Sequence, residues 1–100
     1  MKLLTKAQHA KLIANGKASA IKKQDHFPVV KLFTPDGAAT WLLSEIRADD
    51  PDIAFGLCDL GMGRPELGCV SLSELATVRG KLRLPIERDK WFEADKPLTA

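Results

Sequence analysis

The chain has two cysteines, two histidines and no apolar run near the roughly 20 residues that cross a bilayer. Each shortage excludes something. Two cysteines in a chain of this size do not build a disulfide framework, and in a reducing compartment both are expected as free thiols. Cys58 and Cys69 lie eleven apart, and His9 and His26 show no pairing with each other, so no four-ligand zinc site and no other metal or cofactor is expected. There is no Gly-x-Ser-x-Gly elbow of a serine hydrolase, and no helix-turn-helix, zinc finger or aromatic RNA-reading motif. The opening "MKLLTKAQHAK" has the faint look of a signal peptide, but Lys6 and Lys11 interrupt its apolar stretch too early. A cytoplasmic protein with no membrane partner is the expectation.

What is present is an ordinary globular mixture of 45% hydrophobic and 28% charged residues. Residues 1–100 make a single domain with one core. The net charge is only +2, yet it is unevenly placed. Residues 1–35 carry seven lysines against one acid, Asp25. Residues 36–66 carry Asp36, Glu45, Asp49, Asp50, Asp52, Asp59 and Glu66 against Arg47 and Arg64. A basic end followed by an acidic middle can steer a partner, although solvated faces give the same pattern.

Thr5 with Gln8 three residues on reads as a capping box, and Asn15-Gly16 as a helix end, which predicts a helix over Lys6–Asn15. From Pro28 the pattern turns to strand. "VVKLFT" (29–34), "TWLLSEI" (40–46), "IAFGLCDL" (53–60) and "LGCVSL" (67–72) alternate with the turns "PDGAA", "RADDPD" and "GMGRPE". Ser71 or Ser73 then begins a short helix ending at Gly80, and Arg83–Ile86 allows one more short strand. The predicted architecture is α+β: a four-stranded antiparallel meander with an N-terminal helix and a short helix after strand four.

Short loops constrain pairing. With Phe33 facing Trp41, Leu43 facing Gly56 and Cys58 facing Cys69, one sheet face holds Val30, Leu32, Leu42, Ile46, Ile53, Phe55, Leu57, Val70 and Leu72 as the core. The other holds Phe33, Trp41, Leu43, Ala54, Gly56, Cys58, Leu60, Leu67 and Cys69. A solvated antiparallel face should be polar, and this one is not. It is covered either by the C-terminal segment, with Trp91 and Phe92 folding back, or by a partner protein or a second copy of the chain.

The stretch "AFGLCDLGMGRPELGCVSL" (54–72) is a hairpin on this reading, not a phosphate loop. It lacks the dinucleotide and P-loop signatures, Pro65 removes an amide donor, and it joins strand to strand. "DDPD" lacks the Gly and Glu of a calcium loop. A cysteine on an apolar strand is expected to be inert. Glu45, Asp59, Glu66, Glu87 and Asp89 are the carboxylates for an acid/base pair, though nothing in their spacing places two of them together. Lys6, Lys11, Lys17, Lys22 and Lys23 cluster and suit phosphate contacts that read no sequence.

"HFPVVKLFTPDGAATWLLSE" (26–45), "DPDIAFGLCDLGMGRPELGCVSLSEL" (50–75) and "LPIERD" (84–89) closely resemble the bacterial family designated domain of unknown function 2958. The resemblance runs from "MKLLTKAQ" to "DKPL" and departs from the family pattern at Cys69, where an aromatic residue is expected. It implies a compact stand-alone protein, often carried on plasmids and integrated elements. It implies no reaction, so no catalytic residues carry over. Small proteins of such elements often block host defence machinery or serve DNA transfer and maintenance.

The expectation is therefore a non-enzymatic accessory or inhibitory protein acting through an unidentified protein partner or through self-association. Phe33, Trp41 and Leu43 are the expected contacts, with Arg64 and Glu66 as polar rim. The alternatives are nonspecific DNA or RNA binding through the N-terminal lysines, and a small hydrolase or transferase using Glu45, Asp59 or Glu66.

Overall fold

The structure, a computed structural model, describes residues 3–22, 25–61, 63–79, 82–94 and 96–97. In chain order its elements are α1 (Lys6–Ile21), β1 (Val30–Phe33), β2 (Thr40–Ile46), β3 (Ile53–Asp59), β4 (Glu66–Ser71), α2 (Leu72–Leu75) and β5 (Glu87–Arg88). The strands form one antiparallel sheet ordered β4-β3-β2-β1-β5. The α+β class, the leading helix, the β1-to-β4 meander and the short helix after it follow the sequence reading. The sheet has five strands rather than four.

The Thr5–Gln8 box is formed. Thr5 Oγ1 accepts the Gln8 N–H at 3.1 Å, and the Thr5 N–H donates to Gln8 Oε1 at 3.0 Å. The helix does not stop at Asn15-Gly16 but continues to Ile21. These two residues are the point where α1 meets the sheet. Asn15 Nδ2 donates to the Ser44 carbonyl at 2.9 Å. Gly16 lies so close to β2 that an added Cβ would overlap the Ile46 carbonyl oxygen and sit 2.8 Å from its carbon. A glycine inside a helix costs about 1 kcal/mol in propensity. Here it admits a close approach that no other residue allows.

Two turns set the register, and each differs from the sequence expectation. The β1–β2 turn closes on Thr34, whose Oγ1 accepts the Ala39 N–H at 3.1 Å and whose own N–H donates to the Ala39 carbonyl at 3.0 Å. Phe33 therefore pairs with Thr40, and Leu32 rather than Phe33 pairs with Trp41. In the β3–β4 turn, where Gly61 and Gly63 take φ of 81° and 78°, Cys58 pairs with Glu66 and Cys69 with Phe55. The Leu43–Gly56 pairing is as expected. A register change by an odd number of residues moves every side chain of a strand to the opposite face.

The core face consequently holds Val30, Leu32, Trp41, Leu43, Ile46 and Ala54, all buried, with Leu12 of α1, Leu75 of α2 and Ile86 packed against them. A bulge at Leu43–Glu45, with Ser44 buried at its centre, lets both Leu43 and Ile46 point into this core. The expected core residues Leu42, Ile53, Phe55 and Leu57 are instead half-buried on the other face.

α2 is a single turn, shorter than the sequence reading and begun by Ser71, whose Oγ accepts the Glu74 N–H at 3.2 Å. The expected end at Gly80 lies outside the described residues. β5 falls at Glu87–Arg88 rather than Arg83–Ile86. Arg83 has φ of 61°, and Pro85 makes only an isolated bridge to Arg79, so a regular strand does not start there.

Candidate interaction face

The face of the sheet turned away from α1 is built from three cross-strand rows. Lys31, Leu42, Leu57 and Leu67 form one; Phe33, Thr40 and Asp59 a second; Phe55 and Cys69 part of a third, with Ile53 beyond. Strand alternation places these side chains together, since residues two apart share a face. Phe33, Leu42, Phe55 and Leu57 are half-buried, Cys69 is exposed, and Leu67 is 46% exposed. The strands read as buried on both sides, as the apolar runs in the sequence imply, but among the described residues no helix lies over this side.

Among the described residues, Trp91 does not fold back over this face as expected. Trp91 is 92% exposed, while Phe92 is half-buried. Trp91 instead stands at the β5 edge of the open face. With Phe33, Lys31, Glu87 and Asp89 it lines an open hollow of about 550 Å³. Asp89 fixes this corner: its Oδ1 accepts the Trp91 N–H at 2.9 Å, and its Oδ2 lies 3.8 Å from Lys31 Nζ.

Of the expected contact residues, Phe33 is on this face. Trp41 and Leu43 are not; they are 6% and 0% exposed beneath α1, placed there by the Thr34-closed turn. Arg64 is exposed in the β3–β4 turn. Glu66 is exposed at the start of β4, but its pairing with Cys58 directs it to the α1 side of the sheet. Leu42, Phe55 and Leu57, which the sequence reading assigned to the core, lie on this face. Their signal was the unbroken apolar character of β2 and β3, which gives no indication of which side is covered.

The two cysteines sit on opposite faces, because Cys58 shares a row with Glu66 and Cys69 with Phe55. Both are free, and burial, with a smaller contribution from Cys69, pushes the Cys58 thiol above its ordinary range. Among the described residues, no three His, Cys, Asp or Glu side chains are grouped to hold a metal ion. No described helix is long and apolar enough to cross a membrane.

Glu87 and Asp89 line the same hollow beside Lys31, but Glu45, Asp59 and Glu66 do not converge. Asp59 and Glu66 point to opposite sides of the sheet. Glu45 is opposite Phe55, about 13 Å along β3 from Asp59 at the strand rise. Asp59 Oδ1 accepts the Gly61 N–H at 2.9 Å, a turn contact. Glu45 belongs to a cluster the sequence did not suggest. Ser19 Oγ donates to Glu45 Oε1 at 3.1 Å, and His26 Nε2 lies 3.0 Å from the same hydroxyl. The hydroxyl, not the imidazole, occupies the middle, and its proton is committed to the carboxylate. The three groups clamp the segment after α1 to β2.

"DDPD" is a structural staple. Asp52 Oδ2 accepts the Ser71 and Ser73 hydroxyls at 2.6 and 2.9 Å, and Oδ1 accepts the Ser73 N–H at 2.9 Å. These bonds, the Ser71 hydroxyl first, hold the carboxyl below its usual range. Nearby, Arg47 Nε and Nη2 each donate at 2.9 Å to Asp49, an exposed bidentate pair.

The lysines lie on the far side of the molecule. Lys6, Lys11 and Lys17 are exposed on α1 and Lys22 is exposed at its C-cap; Lys23 lies outside the described residues. At 100° per residue, Lys6 with Lys17 and Lys11 with Lys22 form two stripes roughly 140° apart, flanking the outer surface of α1. No acid occurs between Lys6 and Lys22.

No curated protein and no solved structure matches this chain. The family described as "Protein of unknown function (DUF2958)" matches residues 3–100, nearly the whole sequence, and the chain belongs to that family.

Proposed function

We propose that this protein works by binding a protein partner through the open sheet face, in the accessory or inhibitory capacity expected of a small mobile-element protein. The observation that carries the reading is the side of the sheet bearing Phe33, Leu42, Phe55, Leu57 and Leu67, with an almost fully exposed Trp91 at its edge. Contiguous exposed apolar surface marks an interaction site, and Trp is among the residue types that dominate binding energy. The helix covers only the opposite side. Trp41 and Leu43 support the face from behind as core and leave the contact to the outward residues.

The test is affinity capture from the native host with the wild-type protein, Leu57→Gln and Ile21→Gln. Ile21 is 91% exposed at the end of α1 and serves as a control away from the face. A partner held by wild type and Ile21→Gln but lost by Leu57→Gln is the expected result. A partner held equally by all three removes the face from the account.

The lysines of α1 favour a second reading, nonspecific nucleic-acid binding. Four lysines on one helix and its cap, with no acid among them, suit about four phosphate contacts. Neutralising that many duplex phosphates gives a log–log salt slope of about −3.6. Affinity that does not fall with salt removes this reading.

A further inference from the structure

We infer that the chain forms a two-fold dimer by pairing the free edge of β4 with the same edge of a second copy, antiparallel and centred on Gly68. This surface is the rim of the sheet and is separate from the open face described above.

The first observation is the edge. β4 closes one end of the order β4-β3-β2-β1-β5, and among the described residues no strand pairs with its outer side. A free edge is a template for another strand, and folds usually blunt it with shortness, lysine, proline or a bulge. The opposite edge is blunted: β5 is two residues long and is followed by Asp89 and Lys90. β4 has six residues in regular register with β3, and it contains no lysine, no proline and no bulge. The Leu72 N–H donates to the Asp52 carbonyl, and the Ile53 carbonyl accepts the Arg47 N–H on the β2 side. Antiparallel bonding alternates along a strand. Glu66, Gly68 and Val70 therefore bond to β3, while the N–H and C=O of Leu67 and Cys69 point outward, unpaired among the described residues.

The second observation is Gly68. Gly16 and Gly56 press against backbone, Gly37 lies against Thr34, and Gly61 and Gly63 take positive φ. Gly68 alone among the described glycines has no such reason: its φ is not positive, and a Cβ there would meet nothing within 4 Å. A glycine inside a strand weakens it and often marks the close approach of another backbone. Nothing within the described chain supplies that backbone.

Together these features select a second copy as the occupant. Centred on Gly68, the antiparallel pair sets Leu67 opposite the second copy's Cys69 and Cys69 opposite its Leu67, so every outward N–H and C=O is bonded. The same pairs bring apolar side chains together and carry the Leu42–Leu57–Leu67 row across the junction. The two Gly68 residues meet on the axis, where Cα atoms are about 4.5 Å apart and any side chain would face its own copy. Like charges stay apart, since Glu66 is the only charge on β4 and the two copies of it lie four residues, about 13 Å, from each other. Arg64, exposed just before β4, falls opposite the end of the second strand that carries Asp52 and Glu74, and the axis forms that approach twice. Five strands from each copy make one sheet of ten. The junction is short and belongs to the weak class of interfaces.

The test is sedimentation with amide hydrogen exchange on the full chain over a range of concentrations. The weight-average mass is expected to rise toward twice that of the chain. The Leu67 and Cys69 amides should exchange freely in dilute protein and slow several-fold as the dimer fills, while Gly68 and Val70 stay protected throughout. Gly68→Lys sets like charges opposite each other on the axis, yet its Cβ has open space within the chain, so it should fold as wild type and remain monomeric. Gly68→Cys should give a disulfide-linked dimer with diamide, which oxidises the two thiols and is itself reduced to the hydrazine; the axial Cα separation is within bridging range. Wild type should give no such link, and Leu57→Gln should dimerise as wild type does, so this proposal and the open-face reading fail separately. Wild type that stays monomeric at millimolar concentration, with the Leu67 and Cys69 amides exchanging freely, overturns the proposal. So does Gly68→Lys that dimerises as strongly as wild type. A dimer lost in Leu57→Gln assigns the contact to the open face instead, and a wild-type link through Cys69 overturns the placement of the axis at Gly68.

Discussion

Replacing Gly16 with alanine tests the way the helix is seated on the sheet. On an isolated helix the change stabilises by about 1 kcal/mol. In this protein the new Cβ would overlap the Ile46 carbonyl oxygen and lie 2.8 Å from its carbon, where ordinary contact needs roughly 3.5 Å or more. Both obstacles are backbone, so no side chain can rotate away. α1 must retreat by about 1 Å or more, which lengthens the 2.9 Å bond from Asn15 Nδ2 to the Ser44 carbonyl past useful range. Leaving that buried carbonyl unpaired costs about 1–3 kcal/mol. Lifting Leu12, which is fully buried, partly out of its contacts with the sheet adds about 1–2 kcal/mol. After the propensity gain is subtracted, the net loss is about 1–4 kcal/mol. Urea unfolding should show a midpoint lower by about 0.5–2 M with little change in slope. A Gly16→Ala protein equal to or more stable than wild type would refute this account of the helix–sheet contact.

The two tryptophans should behave oppositely: Trp41→Ala, which removes a core side chain, is expected to cost about 3–5 kcal/mol, whereas Trp91→Ala should stay within about 0.5 kcal/mol. Acrylamide quenching should be removed largely by Trp91→Ala, and quenching that persists would show Trp41 to be accessible. Because the Asp52 carboxyl is held below its unfolded range, its stabilising contribution is present above about pH 4 and is lost as pH falls through the folded value. Asp52→Asn should flatten the acid limb of the stability profile, and an unchanged acid limb would remove Asp52 as its source. Exposed Cys69 should react with a thiol reagent much faster than Cys58, and mild oxidation should give no internal disulfide. Reaction of both thiols at one rate, or a Cys58–Cys69 crosslink, would contradict the face assignment.

Local chemistry was legible where a signal spans three or four residues. The Thr5–Gln8 box, the Ser71 cap and the four meander strands could all be read from residue type and spacing. Asn15-Gly16 misled because the same pair that ends a helix also lets two backbones approach, and only the sheet decides which. The faces depended on turn closure. Thr34 joins the β1–β2 turn through its side chain and backbone, which shifts the pairing by one residue and sends Trp41 inward. No periodicity in "TWLLSEI" separates Trp41 from Leu42, because both sides of β2 are apolar and a bulge at Ser44 interrupts the alternation. β5 is two residues long and is defined by its partner β1, so no run of its own announces it. An uncovered apolar face was expected from the excess of apolar residues, but most β2 and β3 residues were assigned to the wrong sides, through a register one residue out at β1–β2 and three out at β3–β4.

The most direct test of the central claim is photo-crosslinking in the native host from position 57, with position 43 as control. Leu57 lies on the open face and Leu43 is 0% exposed beneath α1. The account predicts an adduct to a separate protein from position 57 and only internal products from position 43. An adduct from position 57 to this chain's own α1 or C-terminal segment, or partner adducts from position 43, would contradict it.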